Sequence, residues 1–332
     1  YWIGAVLIND AQDMQEKFTL FSDMVVFSSY AMQVVMSFMM LVMIFIMLPR
    51  ASVAAKRILE VLDTEPSIED GTRDTFPVMK DGEVEFKDVS FKYPDAEEYV
   101  LEHISFSAKK GETIAFIGAT GCGKSTAINL IPRFYDATEG EVFVDGVNVK
   151  EYTQEALHNK IGYVSQKAIL FSGTIADNVA YGENGKAPAT QDDIAMAVKV
   201  AQASEFVEKK DQGYDGYVAQ GGSNFSGGQK QRLSIARAIA RQPEILIFDD
   251  SFSALDYKTD RILREALRKE CKDATKIIVA QRIGTIRDAD KIIVLDDGQI
   301  AGMGTHDELM KNCEVYQLSL IHISEPTRPR LI

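Results

Sequence analysis

The chain opens on apolar positions that carry no regular polar face. Residues 2–8 form a short apolar stretch, and a polar segment with Asp10, Asp13, Glu16, Lys17 and Asp23 follows. From Met24 to Leu48 come 25 residues without a charge, bounded by Asp23 and Arg50. At about 1.5 Å per helical residue such a run crosses a hydrocarbon core of about 30 Å. A membrane-spanning helix is predicted, because a soluble helix of this length normally keeps a charged face. A cleavable leader fits poorly: the run is too long and no small-residue cleavage site follows it. Arg50, Lys56 and Arg57 stand after the span and the acidic segment before it, which places the C-terminal side in the cytoplasm. Residues 1–50 are therefore expected to be the C-terminal part of a multi-pass domain in the cell membrane, in contact with lipid. The apolar start reads as the end of an upstream membrane helix.

Within the span, Ser29, Gln33 and Ser37 recur at helical spacing with Tyr30 beside them. That stripe suits either a water-facing path or helix–helix packing by small polar residues. Seven of the twelve methionines also lie here, as lipid-facing filler or as an adaptable wall for apolar ligands.

After Pro49 the periodicity changes. Residues 51–62 read as a basic amphipathic helix, and the polar stretch from Glu65 to Pro77 completes a linker over 51–77. A soluble domain is expected over 78–317. In it, residues 83–89 alternate as a strand, and Thr113–Ile117 and Ile245–Phe248 are short apolar runs that predict buried parallel strands. A helical insert is expected around Gln191 to Lys210.

The length of 332 residues allows about two domains. A net charge of −13, from 49 acidic against 36 basic residues, argues against a nucleic-acid partner held through phosphates. The three cysteines, at 122, 271 and 313, have no metal-ligand spacing.

Directly after the strand at 113–117 stands Gly118-Ala119-Thr120-Gly121-Cys122-Gly123-Lys124-Ser125-Thr126, a match to GxxxxGK[ST]. The spacing suits a phosphate-binding loop. Glycines let backbone N–H groups wrap a phosphate, Lys124 reaches the β and γ phosphates, and Ser125 ligates Mg²⁺. Cys122 reads as a small residue in a tolerant position. The run at 245–248 ends in Asp249-Asp250, where a carboxylate for the metal is expected.

Ser226-Gly227-Gly228-Gln229, ahead of a helical Lys230–Arg241, resembles the signature of ATP-binding-cassette (ABC) proteins. Tyr93, in Phe91-Lys92-Tyr93-Pro94, is similar to the aromatic residue that stacks on adenine, and Gln166, in Tyr163-Val164-Ser165-Gln166, to the glutamine that joins the metal site to the membrane domain. Ser253-Ala254-Leu255-Asp256 is similar to the loop that communicates between two cassettes. The resemblance implies an α/β P-loop NTPase cassette with an antiparallel β subdomain and a helical subdomain, preceded by the end of an all-α transmembrane domain. It further implies ATP and Mg²⁺ as cofactors, with Ser125, Gln166 and Asp249 at the metal. The chain then looks like an ABC exporter half-transporter that works with a second subunit, ATP lying between the phosphate loop of one and the signature of the other.

Two positions depart from the family pattern. Asp250 stands where active cassettes carry glutamate, and Gln281 where they carry histidine. An aspartate carboxylate falls more than about 1 Å short of a glutamate's, a misplacement worth about a hundredfold in rate. Glutamine donates a hydrogen bond but carries no charge and exchanges no proton. The expected result is a site that binds MgATP and hydrolyses it slowly, beside an intact signature. That combination resembles the degenerate-site subunit of a bacterial heterodimeric multidrug or lipid-type exporter. A homodimer with a working Asp250, and an ATP-sensing module without transport, remain alternatives. The transported compound, whether small molecule, lipid or peptide, is not identified. From Leu318 to the end the sequence resembles a translated sequencing adapter, so 318–332 is expected to be a non-native tail and His322 is given no role.

Overall fold

Two helices begin the chain, α1 (Trp2–Asp10) and α2 (Met14–Leu62). The computed structural model describes residues 1–74 and 82–318, which fall into two units divided between Ser67 and Ile68. The expected domain start at Val78, and the tail from 319 onward with His322, lie outside the described residues.

In the first unit α1 folds back along α2, and Gly4 sits so close to Met24 that a Cβ there would lie 2.8 Å from its Sδ. The sequence suggested one helix ending at Leu48 and another over 51–62. The structure has a single helix of 49 residues that runs through Pro49. Proline removes one backbone N–H, leaving the Phe45 carbonyl without its helical donor, yet strong helix formers on both sides carry the helix across. The helix is long and apolar enough to cross a membrane, with mean hydropathy 2.4 over its most apolar window. Along it Tyr30, Gln33, Ser37 and Phe38 line a shallow groove, and the Ser37 hydroxyl donates to the Gln33 carbonyl at 2.8 Å.

The second unit holds, in order, β1 (Val84–Phe91), β2 (Leu101–Ala108), β3 (Thr113–Ile117), α3 (Lys124–Asn129), β4 (Glu139–Val144), β5 (Val147–Asn148), α4 (Gln154–Lys160) and β6 (Ile161–Val164). Next come β7 (Gly173–Thr174), α5 (Ile175–Val179), α6 (Gln191–Val200), α7 (Ser204–Val207), β8 (Tyr217–Val218), α8 (Gly227–Ala240), β9 (Ile245–Asp249) and α9 (Tyr257–Glu270). The last elements are β10 (Thr275–Val279), α10 (Ile283–Ile286), β11 (Lys291–Asp296), β12 (Gln299–Gly304) and α11 (His306–Asn312).

The central sheet has the order β12-β11-β3-β10-β9-β6. All its pairings are parallel except β11 with β12. Every residue of β9 and of β10 is buried, as a parallel sheet covered on both faces requires. Alternate residues feed two cores. Ile117, Leu246, Phe248 and Ile278 pack with α8 and the helical insert, while Ile114, Phe116, Ile247 and Ile277 pack with α3 and the second sheet. That second sheet, β2-β1-β4-β5, is antiparallel.

The expected strands at 83–89, 113–117 and 245–248 are β1, β3 and β9, shifted by a residue or two at the ends. The insert at 191–210 is α6 and α7. Of the linker expected over 51–77, residues 51–62 are helical as expected but continue α2 without a break, and residues 70–73 already lie in the second unit, where they pair with residues 151–154. There the Gly71 N–H donates to the Tyr152 carbonyl at 3.0 Å and the Arg73 N–H to the Glu151 carbonyl at 3.1 Å. Asp70 accepts from the Gln154 N–H at 2.8 Å.

Candidate functional site

Four strand ends meet at one edge of the central sheet, where ligands bind in open parallel sheets. β3 runs into the loop at 118–123, β9 into Asp249 and Asp250, and β6 into Ser165 and Gln166. β10 lies between β3 and β9 and runs into Gln281. The order of the sheet is what brings these residues together, because they are spread over more than 160 positions of sequence, from 118 to 281.

The loop needs its glycines for space as well as for φ. Gly123 has φ +94°, and a Cβ there would meet the Leu101 Cδ2 at 2.6 Å and the Val100 carbonyl at 2.9 Å. Gly118, at φ +153°, packs against the Leu295 carbonyl with no room for a side chain. Lys124 is buried, and its Nζ curls back to donate to the carbonyls of Gly118 at 2.9 Å and Ala119 at 2.6 Å. Thr120, Gly121 and Cys122 complete the loop. Cys122 is buried, with its Sγ 3.5 Å from the Lys124 Nζ.

The Ser125 hydroxyl donates to Asp249 Oδ1 at 2.7 Å. A hydroxyl and a carboxylate oxygen in contact form the hard-oxygen pair that Mg²⁺ accepts while keeping its remaining positions for water and phosphate, so the two residues fit the ion. Tyr163 completes the surroundings: its hydroxyl donates to Asn129 Oδ1 at 2.9 Å and lies 3.4 Å from Asp249 Oδ2. Burial and then the Asp249 charge push the Tyr163 phenol above its ordinary value, so it stays a donor.

Asp250 makes its hydrogen bonds elsewhere than to this pair. It is buried, with φ +45°, and its Oδ2 accepts from Gln281 Nε2 at 2.9 Å and Gln166 Nε2 at 3.3 Å. Gln166 was expected at the metal, and the hydrogen bond it makes goes to Asp250 and not to Asp249. Burial and the neighbouring Asp249 charge raise the Asp250 carboxyl above the usual aspartate value, while Gln166 and Arg282 act in the opposite direction.

Tyr93 stands at the β-subdomain side, its hydroxyl 3.1 Å from Thr126 Oγ1 and its ring edge-on to Phe91 and Tyr135. The signature heads α8. Ser226 accepts from the Gln229 N–H at 3.3 Å, and Gln229 Oε1 accepts from the Ser226 N–H at 3.0 Å, a reciprocal capping box. Gly227 has open space around it, and a Cβ on Gly228 would lie 3.2 Å from the Ala254 carbonyl oxygen. Among the described residues no hydrogen bond joins Ser226–Gln229 to the loop at 118–126. Sequence reasoning named Asp250, Gln281 and the signature but missed Tyr163, Arg282 and Gln231. Gln231 is buried and donates to the Ser165 carbonyl at 3.2 Å, linking α8 to the Gln166 segment.

Residues 101–253 match the ABC transporter family model. An uncharacterized ABC transporter ATP-binding protein of Mycobacterium tuberculosis is 45% identical over 316 residues, which cover 95% of this chain and 53% of that protein. Multidrug resistance protein 3 of Entamoeba histolytica is 41% identical over 323 residues, 93% of this chain and 24% of that protein. Among solved structures, a bacterial Atm1-family ABC exporter with ATP bound superposes with TM-score 0.81 at 32% identity, covering 92% of this chain and 53% of that one. The chain thus spans about half the length of the first of these relatives and of the solved exporter. The fold, the ordered motifs and these likenesses agree that the second unit is an ABC transporter ATP-binding cassette, carried behind an N-terminal helical region in the fold of an Atm1-family exporter.

Proposed function

We propose that the chain is part of one half of an ABC exporter in the cell membrane, its cassette on the cytoplasmic side, and that ATP drives transport through pairing with a second half-transporter. The loop at 118–123 and the N-terminal turn of α3 hold the phosphates, and Lys124 exchanges its two loop carbonyls for phosphate oxygens. Ser125 and Asp249 hold Mg²⁺, which when bound neutralises phosphate charge. Tyr93 stacks on the adenine. Gln166 reads the site toward the membrane domain. Ser226 to Gln229 present the N-terminus of α8 to a nucleotide held by the other subunit.

This chain's own site binds MgATP and hydrolyses it slowly. The observation that carries this reading is the placement of Asp250. Its carboxylate is one methylene shorter than a glutamate's and is drawn to two amides, Gln281 and Gln166. A carboxylate so placed is poorly set to take a proton from an attacking water, and Gln281 supplies no proton in its stead. The capping box at the signature is intact, so the partner's site can be completed from here. One weak site beside one sound signature favours a heterodimer whose other subunit carries the glutamate and the histidine.

The test is steady-state and single-turnover ATPase of the whole chain in detergent, beside the double substitution Asp250→Glu with Gln281→His. The expected result is ATP binding in both and turnover about a hundredfold faster in the substituted protein. Comparable rates in the two would remove the case for a slow site and leave a homodimeric exporter as the better account.

A further inference from the structure

Gln281 touches the nucleotide site, and the next residue touches something else. Arg282 spreads its guanidinium over the loop between β9 and α9, Nη1 donating to the Leu255 carbonyl at 3.0 Å and Nη2 to the Ser253 carbonyl at 2.9 Å. Between those two carbonyls lies that of Ala254, which faces Gly228 of the signature closely enough that an added Cβ there would lie 3.2 Å from its oxygen. Arg282 thus holds the carbonyls on either side of Ala254, and the Ala254 carbonyl lies beside the signature backbone. The start of the same loop is tied to Asp250: the Ser253 Oγ donates to the Asp250 carbonyl at 2.8 Å and the Ser253 N–H approaches it at 3.3 Å. Asp256, at the end of the loop, caps α9 by accepting from the Thr259 N–H at 3.0 Å.

We propose that Arg282 is a positioning residue: it splints the Ser253–Leu255 loop against the switch position at Gln281 and so fixes the seat of the signature that completes the other subunit's site. The inference rests on the reading above that the signature serves a second cassette. A planar fork with fixed donor spacing spans two carbonyls at once, whereas a lysine ammonium is a single point that reaches one of them well. Loss of the fork frees the loop and, because Gly228 is packed beside Ala254 and Leu255, lets the α8 N-terminus shift. The signature acts at the γ-phosphate of a nucleotide it does not itself hold, so the effect falls on turnover and not on nucleotide affinity. Displacement of a catalytic element by about 1 Å is worth up to about a hundredfold in rate.

The experiment uses the whole chain in detergent, in the background of Asp250→Glu with Gln281→His, and compares Arg282→Ala and Arg282→Lys with that background. Two quantities are measured: kcat and KM for MgATP, and amide hydrogen exchange over 251–256 and 226–229. Expected are a kcat lowered about tenfold or more in Arg282→Ala with KM unchanged within about twofold, faster exchange in both segments, and partial recovery of both in Arg282→Lys. An unchanged kcat, or a rise in KM that accounts for the whole loss, overturns the proposal. If the background protein itself does not hydrolyse ATP, the reading of Asp250 and Gln281 has failed. The exchange data then decide for Arg282: faster exchange in both segments supports the splint, and exchange equal to that of the background overturns it.

Discussion

Replacing Lys160 by methionine should destabilise the cassette more than any single surface change. Lys160 ends α4, and its Nζ lies 2.8 Å from Asp145 Oδ2 and 2.7 Å from Glu244 Oε2. Asp145 sits in the turn between β4 and β5, and its other oxygen accepts from the N–H groups of Gly82 and Glu83. One ammonium thus ties the antiparallel sheet to the residue that precedes β9. Methionine keeps the volume but leaves the Asp145 carboxylate, only 6% exposed, without its counter-ion. Breaking a fully buried pair costs about 3–5 kcal/mol. Lys160 is 20% and Glu244 30% exposed, so solvent screens part of this and about 2–3 kcal/mol is expected. For a unit of this size that lowers Tm by about 5–10 °C.

The cysteines supply the assay. Cys122 and Cys313 are buried and Cys271 half-buried, all three within the cassette, so a thiol-reactive fluorescent dye reports its melting. Adding Asp145→Asn to Lys160→Met removes the orphaned charge and should recover about half of the loss. The pH dependence has a definite sign. Burial works against the Lys160 charge, and Asp145 and Glu244 more than offset it, so the pKa lies above the ordinary 10.5. The lysine's contribution is whole below that value and is lost as pH rises through the folded pKa, so the gap between wild type and Lys160→Met stays flat from about pH 7 to about pH 9. A gap below about 0.5 kcal/mol, or a double variant no more stable than the single, would refute the reasoning.

Asp250→Asn should raise the melting temperature at neutral pH, because burial and the Asp249 charge disfavour the ionised form. Since the folded pKa is raised, the advantage shrinks as pH falls toward the ordinary aspartate value, and a gap that widened on acidification would contradict the assignment. Gly123→Ala forces a Cβ into the Leu101 side chain at φ +94°, so binding of a fluorescent ATP analogue should fall at least tenfold, with about 1–3 kcal/mol lost from overpacking; near-normal binding would show that the loop relaxes. Ser226→Ala removes the capping oxygen of α8, lowering stability by about 1 kcal/mol. Its ATP affinity should match wild type, and a matching loss of affinity would place the signature in this chain's own site.

The parallel strands were legible because both faces of the central sheet are covered. β3 and β9 then read as unbroken apolar runs, and the glycine spacing after β3 picked out the loop at 118–123. Asp250 and Gln281 stood out too, as departures from the family pattern at fixed places in a known order. Other features carried no local signal. The pairing of 70–73 with 151–154 joins polar segments without periodicity, and Pro49 normally marks the end of a helix, so neither the docked linker nor the unbroken α2 could be read. Tyr163 meets Asp249 across 86 positions, and Arg282 meets Ser253 across 29. Such contacts come from strand order, which hydrophobic patterning does not encode.

The unbroken α2 has a mechanical consequence. A helix of 49 residues is about 73 Å long at about 1.5 Å per residue. As far as it stays straight it acts as a lever: a tilt of about 5° about one end sweeps the other through about 6 Å over that length. Two shorter helices joined by a hinge at Pro49 would have let the far arm stay still. With the helix continuous, angular motion among the apolar residues is carried on toward Leu62, five residues before the first unit ends at Ser67, and Pro49 with the free Phe45 carbonyl is the point where that arm can bend.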